Sequence, residues 1–393
     1  MPQINGAESI MLEFAANTGL SDPSHKPRRY LWTDAFAVCN YLGLYHQSSE
    51  QHFLQLALKL VDEVHQTLGK QRKDSGQRGW LSGLDEAQAQ QHPTLGGLRI
   101  GKKMNERQPG EPADESLEWD QDGQYFHYLT KWMCAINRVS QVTGNSIYNQ
   151  WALELAKAAH AAFTYSPSSM AQTGGAKRMF WKMSIDLSRP LVDSMGHHDP
   201  LDGLLTYQQL EATAKQFPKT PSELDLKSEI KDMQAMCIAR KWATEDALGI
   251  GVLLADAFKL VQLIDTHHLQ ETARLESLLQ DIVLSLQAFV THNQLNLPAE
   301  YRLAFRELGL AIGLHAINRI KKIIKQHPDK FNNADQLSST ISKLSHFHQI
   351  AQLIENFWSE PEHQLVNSWL EHADINNVML ATSLAPDGYL YLD

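Results

Sequence analysis

Cysteine is scarce in this chain, with three in 393 residues. Cys39, Cys134 and Cys237 lie far apart, match no zinc-ligand spacing and are odd in number, which argues against a zinc motif and a disulfide framework. Each stands in an apolar, helix-like stretch, where a small buried thiol is expected. Long apolar runs are missing as well. None approaches about 18 uncharged residues, so no segment reads as crossing a membrane. The N-terminus lacks the basic start and apolar core of a secretory signal. Positive charge is in deficit: 35 Lys and Arg against 45 Asp and Glu give −10. That balance argues against a nucleic-acid backbone or an anionic membrane as the main partner. Strand-like alternation is nearly absent, residues 179–187 being a short extended candidate. No Gly-x-Ser-x-Gly elbow occurs, and Gly174-Gly175 before Lys177 lacks the strand and spacing of a phosphate loop. These absences lead to the expectation of a cytoplasmic protein without a cofactor or a metal.

Helical periodicity is what the chain has in abundance. Phe53, Ala57, Leu60, Val61, Val64 and Leu68 share one stripe, as do Leu275, Leu278, Leu279, Ile282, Leu286 and Phe289. Such helices keep one side in water. Residues 247–255 and 308–314 are instead apolar nearly all round, as a helix buried on both sides requires, and their glycines admit close neighbours. The two kinds alternate. Inner helices are expected near 32–46, 122–142, 200–216, 245–264, 299–325 and 364–372, and outer ones near 50–68, 147–163, 223–240, 268–291, 334–357 and 7–18. The fold expected is therefore all-α, a single (α/α)6 toroid over 1–393 with no strict sequence repeat. Connections after the inner helices are short. Those after outer helices are often long, notably 69–121 and 164–199, and long loops are often functional. The first is rich in Gly, Gln, Glu, Lys and Pro, the composition of a partly mobile segment.

Polar and aromatic residues gather where these long connections meet inner helices. One cluster holds Arg29, Trp32 and Asp34, and a second holds Trp119, Asp122, Gln124, Tyr125 and His127. A third holds Trp181, Lys182, His197, His198, Asp199 and Asp202, and a fourth holds Glu245. Helix capping accounts for much of the acidity, with Thr33, Asp122, Asp199 and Thr244 as candidate caps and Pro200 at a first helical position. Capping does not call for Trp, Tyr and His alongside. Aromatic faces stack on sugar rings while carboxylates and amides bind hydroxyls, the mixture of a polar small-molecule site. Paired carboxylates perform general acid and base work on a glycosidic bond, one of them kept protonated by burial. Asp122 and Asp199 are the first pair, Asp34 and Asp202 their rivals, and His197 a proton shuttle. Arg29, Trp32, Trp119, Gln124, Tyr125, His127, Trp181, Lys182, His198, Asp202 and Glu245 are expected to bind substrate. A metal held by His197, His198 and Asp199 is disfavoured, since consecutive side chains point in different directions.

The pattern resembles the six-hairpin toroid superfamily of glycoside hydrolases, unsaturated glucuronyl hydrolases and N-acylglucosamine 2-epimerases. Trp32-Thr33-Asp34 resembles the early Trp/Asp motifs of the glucuronyl hydrolases, and Asp122-Gly123-Gln124-Tyr125 the motifs of several hydrolases. The resemblance implies a carbohydrate-processing enzyme acting on a small saccharide or glycoside, with hydrolysis of a glycosidic bond first. The alternatives are a sugar epimerase or isomerase resting on His197 or His198 and Arg29, and a non-catalytic saccharide-binding toroid. The epimerase pattern adds a histidine pair on late loops, for which this sequence offers only His372. The particular sugar and the oligomeric state, including a homo-oligomer, stay open.

Overall fold

The structure, a computed structural model, describes residues 2–167, 176–217 and 220–392. The described residues form two compact units, one comprising 17–45 and 50–240, the other residues up to Ala16 together with 46–49 and 241–392.

In the first unit the helices Gln51–Leu68, Phe126–Thr143, Ser146–Phe163, Asp199–Ala214 and Lys227–Met236 follow the expected order. Gln51–Leu68 buries the stripe read from its sequence, whereas Asp199–Ala214 is buried almost all round. A two-residue link joins Phe126–Thr143 to Ser146–Phe163. Gly144 ends one helix at φ 68°, and the Asn145 side chain accepts the Ile147 amide at 3.1 Å to cap the next.

Two small antiparallel sheets occupy the connections. Gln124–Tyr125 pairs with Lys182–Met183, which pairs with Pro190–Val192. Thr164–Tyr165 pairs with Arg178–Met179. The helix expected from residue 122 therefore begins at Phe126, because the preceding two residues are strand. Asp122 caps nothing, and Asp199 sits inside the first helical turn, with His198 at the cap position. Thr33 lies within helix Leu31–Ser48. At the fourth site the cap is Asp246, which accepts the Gly249 amide at 2.8 Å, while Thr244 supports it by accepting the Asp246 amide at 3.2 Å.

The second unit is built on two helices whose backbones touch. A Cβ on Gly251 would lie 2.0 Å from the Gly309 carbonyl oxygen, and one on Gly313 would lie 2.5 Å from that of Gly251. Helices Ala247–His267 and Ala304–Gln326 therefore approach as closely as their glycines suggested. Ala247–His267 is long and apolar enough by composition to cross a membrane, and 78% of its apolar window is buried inside the protein.

Three expectations shift here. The helix expected at 299–325 starts at Ala304, because Arg302 is extended and buried, its guanidinium held by Glu307 at 2.9 and 2.6 Å. The outer helix 334–357 is two, Ala334–Ser345 and Gln349–Ser359. The helix near 364–372 is replaced by a short turn, Asn367–Leu370, and by Ala373–Leu384, whose Asn376, Thr382 and Ser383 are buried. Buried polar residues hid that helix from an apolar-stripe search. The N-terminal helix Pro2–Asn17 lies against it, with Gly6 beside Leu384. Ala7, Met11, Phe14 and Ala15 are buried in it, whereas Leu12 is 41% exposed.

Candidate functional site

The long segment after Gln51–Leu68 is fastened rather than loose. Asp122 is fully buried and is its anchor. Arg72 Nη1 and Arg99 Nη1 donate to its Oδ2 at 3.0 and 2.9 Å, and the amides of Gly101 and Gly123 donate to Oδ1 at 3.0 and 3.1 Å. The segment is further tied by Arg99 N to Leu68 O, Ile100 N to Gly123 O, and Leu31 N to Ile100 O. Four donors saturate the Asp122 carboxylate, so its geometry is that of a clamp.

Other expected site residues are also committed to structure. Gln124 accepts the Leu98 amide at 2.8 Å and donates to Gly96 O and Ile185 O at 3.1 and 2.7 Å. Lys182 is wholly buried and donates to Glu118 O, Gln121 O and Glu118 Oε2 at 2.6, 2.9 and 3.2 Å. Burial lowers its pKa, and the Glu118 charge opposes that. Arg29 donates to Glu63 at 2.9 and 2.6 Å and to Thr18 O at 3.0 Å, with Asp34 at 3.7 Å. Asp34 accepts the Tyr30 amide at 2.8 Å. Asp202 is held by Lys131 at 2.9 Å and Thr130 at 2.5 Å.

These anchors present an aromatic cluster. Trp181 stacks on His127 with ring centres 6.3 Å apart and meets Tyr125 at 5.6 Å and Trp119 at 5.1 Å. Trp32 meets His127 at 6.0 Å and Tyr128 at 5.2 Å, and Tyr128 meets His127 at 4.8 Å. Trp119 is 51% exposed, the outermost large ring of the group.

Asp199 stands beside His127, its Oδ1 3.8 Å from the imidazole Nδ1. The carboxyl is buried and packed against Gly196, where a Cβ would lie 2.3 Å from Oδ2. Among the described residues, Asp199 Oδ2, His127 Nδ1 and Trp32 Nε1 are buried without a hydrogen-bond partner. One such atom is costly, and three in a single cluster call for an explanation beyond packing. Burial, then the Asp202 charge, raises the Asp199 pKa to about 7. Burial, then the Lys131 charge, lowers the His127 pKa to about 3. Near neutrality the site therefore pairs a partly protonated carboxylic acid with an uncharged imidazole.

The structure thus brings together Trp32, Trp119, Tyr125, His127, Trp181, Asp199 and Asp202 directly, with Lys182 and Gln124 beneath them as supports. His197 and His198 precede Asp199 with rings 4.7 Å apart, His197 being exposed. Glu245 belongs to the other unit, where it is exposed, 3.5 Å from His292. Sequence reading named Tyr30, Tyr128 and Gly196 only as members of the polar and aromatic clusters, without a role, and passed over Lys102. Tyr128 was visible three residues after Tyr125, in the same cluster. Gly196 had no signal, because only the fold shows what it packs against.

No family model matches the chain, and no curated protein matches it. Solved structures do. The GH76 α-1,6-mannanase of Salegentibacter sp. matches over 98% of this chain and 99% of its own, at 10% identity and a TM-score of 0.52. A GH76 α-mannanase of Bacteroides thetaiotaomicron matches over 98% and 96%, at 10% identity and a TM-score of 0.53. The cellobiose 2-epimerase of Spirochaeta thermophila matches over 95% and 97%, at 12% identity and a TM-score of 0.48. The fold is the all-α (α/α)6 toroid. At these identities the likeness to the mannanases is one of architecture, and the chemistry of this toroid rests on its own side chains.

Proposed function

We propose that this toroid is a carbohydrate-processing enzyme that hydrolyses a glycosidic bond, with Asp199 as general acid. The observation that carries this is the Asp199 carboxyl itself. It is buried, bare at Oδ2, raised to about 7 and set within an aromatic cluster. A carboxylic acid in that state can deliver its proton to a leaving-group oxygen at neutral pH. Trp181 and Trp119 offer faces for sugar rings, and Trp32 Nε1 offers a hydrogen bond. The separation of 3.8 Å between His127 and Asp199 is too short to hold a water between them. An inverting pair needs about 6.5–9.5 Å. His127 therefore stands on the acid's side of the scissile bond and is not the partner across it. An inactive variant of the Salegentibacter mannanase has been solved with α-1,6-mannotetrose, which makes that saccharide the first probe.

A second reading, epimerisation of a sugar carbon, draws support from the same His127–Asp199 contact, since a neutral imidazole beside an acid can move a proton to and from carbon. Arg29 is taken up by Glu63 and Asp34 and does not serve that reading. Incubation of the protein with α-1,6-mannotetraose and a panel of oligosaccharides and reducing disaccharides, followed by proton NMR, separates the two. Hydrolysis yields new reducing ends, and epimerisation yields a new anomeric set at constant chain length. Asp199→Asn is expected to lower turnover by about a thousandfold or more, upper-range for the loss of a general acid. Turnover retained in that variant would refute the assignment.

A further inference from the structure

Helix Phe126–Thr143 is buried where it meets its neighbours, yet His127, Tyr128, Cys134 and Gln141 keep some access to solvent. His127, Lys131 and Cys134 stand at i, i+4 and i+7 and so share one helical face. The Cys134 thiol, expected to be buried, is half-buried on the face that carries the His127 imidazole, about 10 Å further along the helix axis. Helix Asp199–Ala214 packs alongside and sets Asp202, Thr206 and Gln209 opposite. Lys131 and Thr130 meet Asp202 at 2.9 and 2.5 Å. One layer further, the Cys134 Sγ lies 3.5 Å from both Thr206 Oγ1 and Gln209 Oε1. Gln209 is 2% exposed, and among the described residues its Nε2 is buried with no hydrogen-bond partner. An amide met by a thiol at one end and by nothing at the other is an unfavourable arrangement for structure alone.

Resting on the saccharide reading above, we propose that the candidate site has a second layer, in which the Gln209 amide donates to a hydroxyl of a sugar ring packed against Cys134. Thr206 holds the thiol in place. The charges between the two layers are matched, Lys131 by Asp202, so the layer presents an amide, a hydroxyl and a thiol and no net charge. That set suits the hydroxyls of a neutral ring, each both donor and acceptor, and offers no counter-ion to a carboxylate or a phosphate. Gln209 is then a specificity-determining residue that lies outside the Asp199 cluster.

Cys134 makes the test direct, because Cys39 and Cys237 are buried. Methyl methanethiosulfonate, small and uncharged, is expected to label Cys134 before either of them, as read by peptide mass spectrometry on the native protein. The labelling is repeated with α-1,6-mannotetraose, cellobiose, mannose, glucose and galactose, their affinities being measured by tryptophan fluorescence. At about ten times its Kd, at least one of these saccharides is expected to slow the labelling of Cys134 about tenfold. Gln209→Met removes the amide at similar volume. It is expected to weaken binding of the protecting saccharide about tenfold, the loss of one hydrogen bond, while melting no lower than wild type, because an unmatched polar group leaves the interior. A Cys134 that resists the reagent until the protein unfolds overturns the proposal. So does labelling that no saccharide slows, or an affinity unchanged in Gln209→Met, which would assign the amide to structure alone. Turnover reports on Asp199 separately. Protection that depends on Gln209 without any turnover keeps the second layer and removes the hydrolase, and turnover without protection does the reverse.

Discussion

Two aspartates that look alike in sequence have opposite energetic roles. Asp122 is gripped by four donors, and Asp199 is buried with an oxygen unpaired. Replacing Asp122 by Asn leaves the Arg99 guanidinium partly buried without its carboxylate, while Arg72 keeps Asp74 at 2.7 Å, at a cost of about 3 kcal/mol. We expect Asp122→Asn to lower Tm by several degrees at pH 7 in differential scanning calorimetry. Asp199 behaves in the reverse sense. Its folded pKa of about 7 lies above the ordinary 3.8, so its ionisation adds no penalty while both states are protonated. The penalty begins as pH rises past the unfolded value and is complete above the folded one, at about 1.4 kcal/mol per unit of difference. Wild type is thus expected to lose stability between about pH 4 and 7 relative to Asp199→Asn, and the variant to melt higher at pH 8. A variant that melts lower at pH 8 than at pH 4, relative to wild type, would contradict the burial argument. The sequence put both residues in rich clusters. It could not say which one the arginines of the 69–121 segment would claim, because that depends on how a fifty-residue connection folds back.

The glycine crossing makes an expectation for a pair of helices. Gly251 and Gly309 are both helical, and Gly→Ala would ordinarily gain about 1 kcal/mol of helix propensity at each. At Gly309 the added methyl would meet the Leu248 Cδ1 at 2.5 Å, the end of a flexible side chain. At Gly251 it would meet a backbone oxygen at 2.0 Å, which cannot turn aside. Urea titration should therefore show Gly309→Ala close to wild type and Gly251→Ala destabilised by about 2 kcal/mol or more, in the overpacking range. Equal midpoints would show that the helices can separate cheaply. Elements with strong periodicity, such as Gln51–Leu68 and Thr272–Thr291, were legible from composition alone. The two-residue strand at 124–125 was not, since a strand so short is defined by its partner and not by its own residues, whereas Lys182–Met183 falls within the extended candidate at 179–187. Helix Ala373–Leu384 was missed because its buried side carries Asn376, Thr382 and Ser383, whose hydrogen bonds run to Trp369 O, Val378 O and Glu355.

At the scale of the whole chain, alternation of one-sided and all-round apolar helices was enough to indicate the toroid, and identity near 10% to its solved counterparts shows how little else is needed. Aromatic and acidic clusters were legible too, but the roles within them were not. Burial decides which acid stays protonated, and burial belongs to the assembled fold. A ligand that binds only the folded chain should stabilise all of it, by about 2.7 kcal/mol at a hundredfold excess over Kd. A saccharide that occupies the Asp199 cluster should accordingly raise Tm by a few degrees in a thermal-shift assay, and by less in Trp181→Ala. An equal rise in both would place binding elsewhere. The glycine crossing also bears on ancestry. Where two backbones touch, mutation has no small step to take, because even a methyl group on Gly251 collides with a carbonyl oxygen. Descendants of this chain can drift freely along its exposed connections, such as 108–114, but not across that seam. New specificities should therefore arise in the segments between helices, while Gly251 and Gly313 pass through a lineage unchanged.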